Sequence, residues 1–140
     1  MEAARTLLVP ASPGGLWRLA EDLAAFGAAN HLSPEAIRPV QVAVDEMISN
    51  TLRHGYGGRG EGHLIEVRLR LDEGVLEVAI EDDAPPFDPL AAPLPDTAGD
   101  LASRPAGGLG IVLTRKLMDE VRYERKAGRN RVVLRKRTGA

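Results

Sequence analysis

Apolar and polar residues follow one another in patterns that divide the first part of the chain into a strand and a helix. Residues 4–9 are mostly apolar and predict a short first strand. Residues 14–30 predict a short amphipathic helix, because the following apolar side chains recur there at helical spacing: Leu16, Leu19, Ala20, Leu23, Ala24 and Phe26.

A second helix has a clear start signal. Ser33 is a good N-cap, Pro34 suits the first helical position, and Glu35 complements the positive end of a helix. One apolar stripe follows, formed by Ile37, Val40, Val44, Met47, Ile48 and Leu52. Glycines from position 55 onward predict that this helix ends at about His54.

Four later segments predict strands that pair as two hairpins. Residues 65–71 alternate strictly between apolar and polar side chains, and residues 76–80 alternate again after a short turn. Residues 121–126 and 131–137 predict a second hairpin near the end of the sequence. Strict alternation is typical of antiparallel strands with one buried face.

Between the hairpins, residues 84–110 contain six prolines and four glycines, which predicts a long and mobile functional loop. A further helix is predicted over residues 108–120. The whole order favours an α+β fold, a two-layer sandwich in which a mainly antiparallel mixed sheet is covered on one face by about three helices.

The amino-acid composition mainly excludes certain classes of protein and of functional site. We interpret residues 1–140 as a single domain, since 140 residues match the length of one. The absence of cysteine excludes a disulfide scaffold, a Cys-ligated metal site and thiol catalysis. The net charge of −2 and the lack of a signal peptide or a long apolar run argue against direct nucleic-acid or membrane binding, so we expect a cytoplasmic protein.

The first candidate for chemistry is a polar group on the second helix. Glu46, Asn50 and Arg53 lie opposite the apolar stripe, and Glu46 and Asn50 are four residues apart, so their side chains are neighbours. A carboxylate beside a carboxamide can orient a nucleophile and offer oxygen ligands to Mg²⁺. The alternative is an ordinary solvated helix face.

The second candidate is an acidic strand end. The strand at 76–80 continues into Glu81-Asp82-Asp83 and then into the proline-rich segment Ala84-Pro85-Pro86-Phe87-Asp88-Pro89. A carboxylate at a strand end can accept a hydrogen bond from an exocyclic amine such as that of adenine. The alternative is turn chemistry, because Asp and Pro commonly end strands.

The third candidate is the sequence Gly107-Gly108-Leu109-Gly110, which opens a predicted helix. Glycines let the backbone approach a ligand, and a helix N-terminus presents unpaired N–H groups and positive potential to phosphate. An isolated glycine-rich turn is a weak signal, so an ordinary turn is an equal alternative.

Together, and in this order, the three segments resemble the GHKL (histidine-kinase-like ATPase) domains with the Bergerat ATP-binding fold, and more narrowly the bacterial anti-sigma-factor serine/threonine kinases. The resemblance covers about residues 10–137. Asp45-Glu46-Met47-Ile48-Ser49-Asn50-Thr51-Leu52-Arg53-His54 stands at the N box of that family, residues 82–89 at its first glycine box, and residues 107–110 at its second. Residues 89–106 would then form the ATP lid.

The resemblance implies ATP and Mg²⁺ as cofactors. It implies that Asn50 binds the metal, that Glu46 is the general base, and that Asp82 holds the amine of adenine. Gly108 and Gly110 would line the phosphates. Further nucleotide contacts are implied for Arg53, Pro86, Phe87 and Leu109.

Two positions depart from the family pattern. Ala84 stands where the family usually has glycine, which would bring the backbone and the adenine closer together. The threonine that the family often has near the adenine on a late strand is not evident in residues 129–133, where Asn130 is a possible substitute.

Glu46 favours a serine or threonine acceptor, because a hydroxyl nucleophile benefits from a nearby base whereas a neutral histidine does not need one. The resemblance then implies partner switching, in which the protein sequesters a sigma factor and phosphorylates a STAS-type antagonist, possibly as a homodimer. One alternative is a nucleotide-dependent binding module without kinase activity. Another is a plain α+β interaction domain.

His54 is expected to cap the helix or face solvent, and Arg104 could reach the γ-phosphate or be an exposed loop charge.

Overall fold

The frame of the molecule is a five-stranded sheet with three α-helices, seen in a computed structural model that describes residues 2–90 and 108–139. The elements are β1 (Glu2–Pro10), α1 (Pro13–Ala29), α2 (Pro34–Asn50), β2 (Leu64–Asp72), β3 (Val75–Asp82), α3 (Gly108–Leu117), β4 (Glu120–Lys126) and β5 (Arg129–Arg137). The strand order is β1-β2-β3-β5-β4, and all four pairings between described strands are antiparallel. The predicted α+β sandwich with a mainly antiparallel sheet is therefore confirmed.

The predicted elements agree with the observed ones except at a few ends. The α-helical part of α2 ends at Asn50 instead of about His54. Helix α3 ends at Leu117 instead of 120. It ends there because the N–H of Asp119 already donates to the carbonyl of Arg135 in β5, at 2.9 Å. The part of the predicted loop at 91–107 lies outside the described residues, and with it most of the predicted lid and Arg104.

Both long helices begin at a serine followed by proline. Ser33 Oγ accepts a hydrogen bond from the N–H of Ala36 at 3.1 Å, as the start signal predicted. Ser12 does the same for the N–H of Gly15 at 3.2 Å, with Pro13 as the first residue of α1. Such caps satisfy one of the backbone donors that every helix start leaves open.

The helices cover one face of the sheet, and the core lies between the two layers. Every second residue of the central strands points into it, as in Ile65, Val67 and Leu69 of β2. The matching stripe of α2 is buried at Ile37, Val40, Val44, Met47 and Ile48. Apolar burial of this kind is the main favourable term in folding.

The opposite face of the sheet carries ion pairs instead of helices. Arg131 lies 3.6 Å from Glu81 and 3.3 Å from Glu124, and Arg135 lies 3.7 Å from Glu77. These side chains are partly exposed to solvent, so each pair contributes little to stability. The ion pairs nevertheless keep this face of the sheet polar, and none of the described helices covers it. No helix in residues 2–90 and 108–139 is both long and apolar enough to cross a membrane.

Two adjacent glycines in the first turn of α1 provide a test of this packing. A Cβ atom on Gly15 would overlap the carbonyl oxygen of Pro10, whereas one on Gly14 would meet only Ser12 Oγ at 3.9 Å. We expect Gly15→Ala to lower the free energy of unfolding by about 1–3 kcal/mol through overpacking. Gly14→Ala is the matched control, expected to be neutral or to stabilise by up to about 1 kcal/mol. Urea unfolding measures both, and equal midpoints for the two variants would contradict the packing.

Candidate functional site

The three candidate segments lie at the same end of the sheet. A Cβ atom on Gly55, just beyond α2, would lie 3.1 Å from the Cβ of Ala84, just beyond β3. The start of α3 reaches the same region, because Gly110 lies directly against the side chain of Glu46. The fold therefore brings together residues that are more than sixty positions apart along the chain.

The chain continues beyond Asn50 as a π-helical turn over Thr51–Gly55. The N–H of Tyr56 donates to the carbonyl of Thr51 at 2.9 Å, a bond that spans five residues instead of the usual four. Helical structure thus ends at Gly55, next to the predicted end at His54. Short π-helical turns are rare and occur frequently at functional sites.

Asn50 is buried, and its carboxamide has no hydrogen-bond partner among the described residues. Its side chain is only 2% exposed, and neither its oxygen nor its nitrogen finds a partner in the part of the chain that the structure describes. An unsatisfied buried amide costs on the order of 1–3 kcal/mol, so such a group calls for a ligand or another specific explanation. The alternative of a merely solvated helix face is wrong for Asn50, because α3 packs on this side of α2. Arg53, in contrast, is exposed.

Glu46 lies one helical turn before Asn50 and is half-buried. Its carboxylate occupies the space that a side chain at position 110 would need, since a Cβ atom on Gly110 would overlap Glu46 Oε2. Among the described residues the carboxylate of Glu46 has no hydrogen-bond or ion-pair partner. A side chain at position 110 would therefore require the end of the Glu46 side chain to move.

Gly108 and Leu109 form the start of α3. The first N–H groups of a helix have no partner within the helix, and the helix dipole makes this end positive. Because Gly110 lies against Glu46, the first turn of α3 is close to the polar side of α2. This arrangement can bind an anion with backbone groups.

Asp82, the last residue of β3, is 4% exposed. Its Oδ1 atom accepts hydrogen bonds from the N–H of Ala84 at 3.0 Å and from Asn130 Nδ2 at 2.8 Å. The hydrogen bonds that Asp82 makes to described residues therefore use one of its two oxygens. The backbone at Ala84, where the family usually has glycine, is itself buried at 1% exposure.

Both the oxygen and the nitrogen of the Asn130 side chain form hydrogen bonds to other residues of the protein. Its nitrogen also lies 3.2 Å from the carbonyl of Ala84 and 3.1 Å from that of Pro85. Its oxygen accepts from the N–H of Phe87 at 3.2 Å and from the hydroxyl of Tyr123 at 2.6 Å. The two donors on the oxygen fix the orientation of the amide, so that the nitrogen faces Asp82. Asn130 thus holds the segment after β3 in place, which refines the idea that it substitutes for a threonine.

Two residues of β4 that sequence reasoning missed complete this arrangement. Tyr123 orients Asn130, and Arg125 donates from Nη1 to the carbonyl of Ala84 at 2.9 Å. The alternation of β4 places Tyr123 toward the core, and this was the only signal that the sequence offered for it.

A polar cluster of Tyr56, His63 and Asp83 borders the site, and sequence reasoning missed it as well. The Tyr56 hydroxyl donates to Asp83 Oδ1 at 2.5 Å, and His63 Nδ1 lies 3.1 Å from the same oxygen. Burial, followed by the hydrogen bond to Asp83, raises the pKa of Tyr56. The hydrogen bond from Tyr56, followed by that from His63, lowers the pKa of Asp83.

Of the remaining predicted site residues, Phe87 is half-buried and Pro86 is exposed. The ring of Phe87 stacks on that of His54, with the ring centroids 5.4 Å apart. His54 is exposed, which matches one of the two expectations for it.

Comparison with known families agrees with this fold. The family described as "Histidine kinase-like ATPase domain" matches residues 9–136. The chain belongs to this family of ATPases.

Its relatives and structural neighbours are consistent with this assignment. The chain is 34% identical over 124 residues to "Serine-protein kinase RsbW" of Listeria monocytogenes, covering 84% of this chain and 76% of that protein. It is 30% identical over 105 residues to "Anti-sigma F factor" of Clostridium novyi, covering 73% of this chain and 71% of that protein.

Two solved structures share the fold at 18% sequence identity. One contains the RsbU and RsbW domains of a Mycobacterium tuberculosis protein; it has a TM-score of 0.68 and covers 96% of this chain. This chain spans only 32% of that longer one. The other is from the SiaB-SiaC complex of Pseudomonas aeruginosa, with a TM-score of 0.57, and covers 94% of this chain and 88% of that one.

The two buried asparagines give a matched test of the site. In Asn50→Leu an unpartnered amide is replaced by an apolar side chain of similar size, so we expect the free energy of unfolding to rise by about 1–2 kcal/mol. Asn130→Leu leaves several buried polar groups without partners, and we expect a loss of at least about 2 kcal/mol. Urea unfolding without nucleotide measures both. Destabilisation by Asn50→Leu as large as that by Asn130→Leu would mean that Asn50 is structural.

The Asp83 cluster predicts a pH dependence. Because the pKa of Asp83 is lowered on folding, its carboxylate stabilises the folded state above its unfolded pKa of about 3.9, and this contribution is lost as the pH falls through the lower folded pKa. We expect Asp83→Asn to lose less stability than the unmodified chain between pH 5 and pH 2 (both values approximate). Asp45→Asn, at an exposed carboxylate on α2, is the control. Parallel thermal-unfolding profiles for all three proteins would refute the expectation.

Proposed function

We propose that this protein binds ATP with Mg²⁺ at this end of the sheet and transfers the γ-phosphoryl group to a serine or threonine of a partner protein. The observation that carries the proposal is the buried carboxamide of Asn50 one helical turn from the carboxylate of Glu46, both without a hydrogen-bond or ion-pair partner among the described residues. These groups fit Mg²⁺, which prefers oxygen ligands and is usually bound by few protein side chains together with substrate phosphates.

Each part of the nucleotide has a counterpart in the chain. Asp82 would accept the hydrogen bond of the adenine amine, while Asn130 holds Oδ1 of the same carboxylate. The start of α3 at Gly108–Gly110 would hold phosphate oxygens through backbone N–H groups. Arg53, Pro86, Phe87 and Leu109 would complete the contacts, and residues 89–106 would cover them as a lid. When bound, ATP supplies the phosphoryl group and Mg²⁺ neutralises the charge that develops on it.

Glu46 would act as the general base. Its carboxylate accepts the proton from the hydroxyl oxygen of the substrate serine as that oxygen attacks, which favours a hydroxyl nucleophile. The lack of a hydrogen-bond partner for Glu46 among the described residues supports this role, because the carboxylate is then available to a substrate. The absence of a side chain at Gly110 keeps the space for it.

The relatives named as serine-protein kinase and anti-sigma F factor support a role in partner switching. In this role the protein sequesters a sigma factor and phosphorylates a STAS-type antagonist in the cytoplasm, as one ATP-binding domain that forms a homodimer. The name of the SiaB-SiaC complex gives further support for a protein partner.

Glu46→Gln tests the kinase chemistry. The purified protein is incubated with Mg-ATP and a STAS-type antagonist from the same genome, and phosphate addition is followed by intact-mass spectrometry. We expect Glu46→Gln to lower the rate by about 10²–10⁴-fold, the usual contribution of general-base catalysis, with nucleotide affinity retained. Glu35→Gln, at the exposed start of the same helix, is the control and should react normally.

Nucleotide binding itself is tested by thermal unfolding. ATP with Mg²⁺ at about 100-fold above its Kd should add roughly 2.7 kcal/mol to the free energy of unfolding. Asp82→Asn should remove most of this gain. A normal gain without phosphorylation of any antagonist would favour the nucleotide-dependent binding module, and no gain with any nucleotide would exclude both functions.

A further inference from the structure

Three consecutive residues at the end of the π-helical turn contact the segment that follows β3. The ring of His54 stacks on Phe87, Gly55 lies against Ala84, and Tyr56 is hydrogen-bonded to Asp83. We call this set of three contacts the seam. It joins the end of the helix that carries Asn50 to the end of the strand that carries Asp82.

The middle contact of the seam depends on a missing side chain. A Cβ atom on Gly55 would lie 3.1 Å from the Cβ of Ala84, which is closer than almost all real contacts of this kind. A methyl group at position 55 would therefore fit beside that of Ala84 only if one of the two segments shifted by a few tenths of an ångström. The two positions therefore set the spacing between helix end and strand end jointly.

The hydrogen bonds of Tyr56 are the polar contact of the seam. Its hydroxyl donates to Asp83 Oδ1 at 2.5 Å and lies 3.3 Å from the backbone N–H of the same residue, from which it accepts. The hydroxyl therefore holds both the side chain and the backbone of the residue next to Asp82. His63 contacts the same Asp83 carboxylate, and the centroid of its ring lies 4.8 Å from that of Tyr56.

We propose that Tyr56 is a positioning residue, which holds the phosphate-binding and base-binding halves of the site at a fixed separation through the seam. This inference rests on the proposed nucleotide site. The phosphate-binding half comprises Asn50 and the start of α3, and the base-binding half comprises Asp82. Tyr56 contacts neither a substrate nor these groups directly; it acts through Asp83.

A fixed separation has a measurable consequence. When two halves of one ligand bind to two rigidly placed subsites, the second half binds at a high effective concentration. Loosening the link between the subsites lowers the affinity for the whole ligand and leaves the affinity for each fragment almost unchanged. A purely structural role of Tyr56 would instead weaken a fragment or lower stability alone.

The experiment compares three ligands on the full chain: Mg-ATP, adenosine, and pyrophosphate with Mg²⁺. Calorimetry or NMR titration gives the three dissociation constants, from which the effective concentration follows. In Tyr56→Phe, which removes only the hydroxyl, we expect Mg-ATP affinity to fall about tenfold, while each fragment changes less than about twofold. Equal Mg-ATP affinities in Tyr56→Phe and the unmodified chain would overturn the proposal.

His63→Gln is the matched control. It removes a contact to Asp83 and leaves the link between Tyr56 and Asp83 in place, so Mg-ATP affinity should change less than about twofold. If His63→Gln lowers Mg-ATP affinity as much as Tyr56→Phe does, any contact that orders Asp83 would be sufficient. The link from Tyr56 at the end of α2 would then have no special role, which contradicts the inference.

A second pair of variants tests the same spacing through packing. Gly55→Ala should force the helix end and the strand end apart and lower Mg-ATP affinity more than the affinity for either fragment. Gly55→Ala combined with Ala84→Gly should restore most of the loss, because the double variant removes the methyl group that Gly55→Ala would meet. Failure of this rescue argues against the seam.

If the unmodified chain does not bind Mg-ATP at all, the proposed function itself fails, which is a distinguishable result.

Discussion

The structure depends on the position of α2, which is enclosed by the core on one side and by α3 on the other. A helix side that packs against another helix is usually apolar, yet α2 keeps a carboxamide and a carboxylate on the side that faces α3. The sheet, the caps and the apolar stripe together provide the stability that offsets an unpaired amide at Asn50. Natural proteins depart from good packing mainly where function requires it. The placement of the other candidate groups follows from this helix, because the start of α3 and the end of β3 both contact it or its continuation.

The fold was largely predictable from the sequence because its signals are local. Ser33 followed by Pro34 predicted the start of α2, and the alternation in residues 65–71 predicted β2. The same serine-proline pair at Ser12 and Pro13 was not used, although it marks the start of α1 in the same way. Local patterns report on hydrogen bonds and burial within one element, and these largely decide where an element begins.

The candidate site was predictable only in part, because much of its geometry depends on contacts between distant residues. The spacing of Glu46 and Asn50 placed them side by side, but whether Asn50 is buried depends on α3, far along the chain. Tyr56 and Asp83 are 27 residues apart, and no periodicity within one element connects them. The sequence points to Asn130 only through a family pattern, and its five hydrogen-bond partners come from two separate segments, residues 82–87 and β4.

The hydrogen bond between Asn130 and Asp82 has a consequence for the order in which the protein matures. The two residues are 48 positions apart, so a ribosome makes Asp82 well before its partner exists. Until β5 has been synthesised and has paired with β3, the carboxylate and the peptide groups that follow it lack the amide that holds them. A nascent chain can therefore form its first hairpin and its long helices early, but the segment that follows Asp82 is held in place only after β5 has been synthesised and has paired with β3.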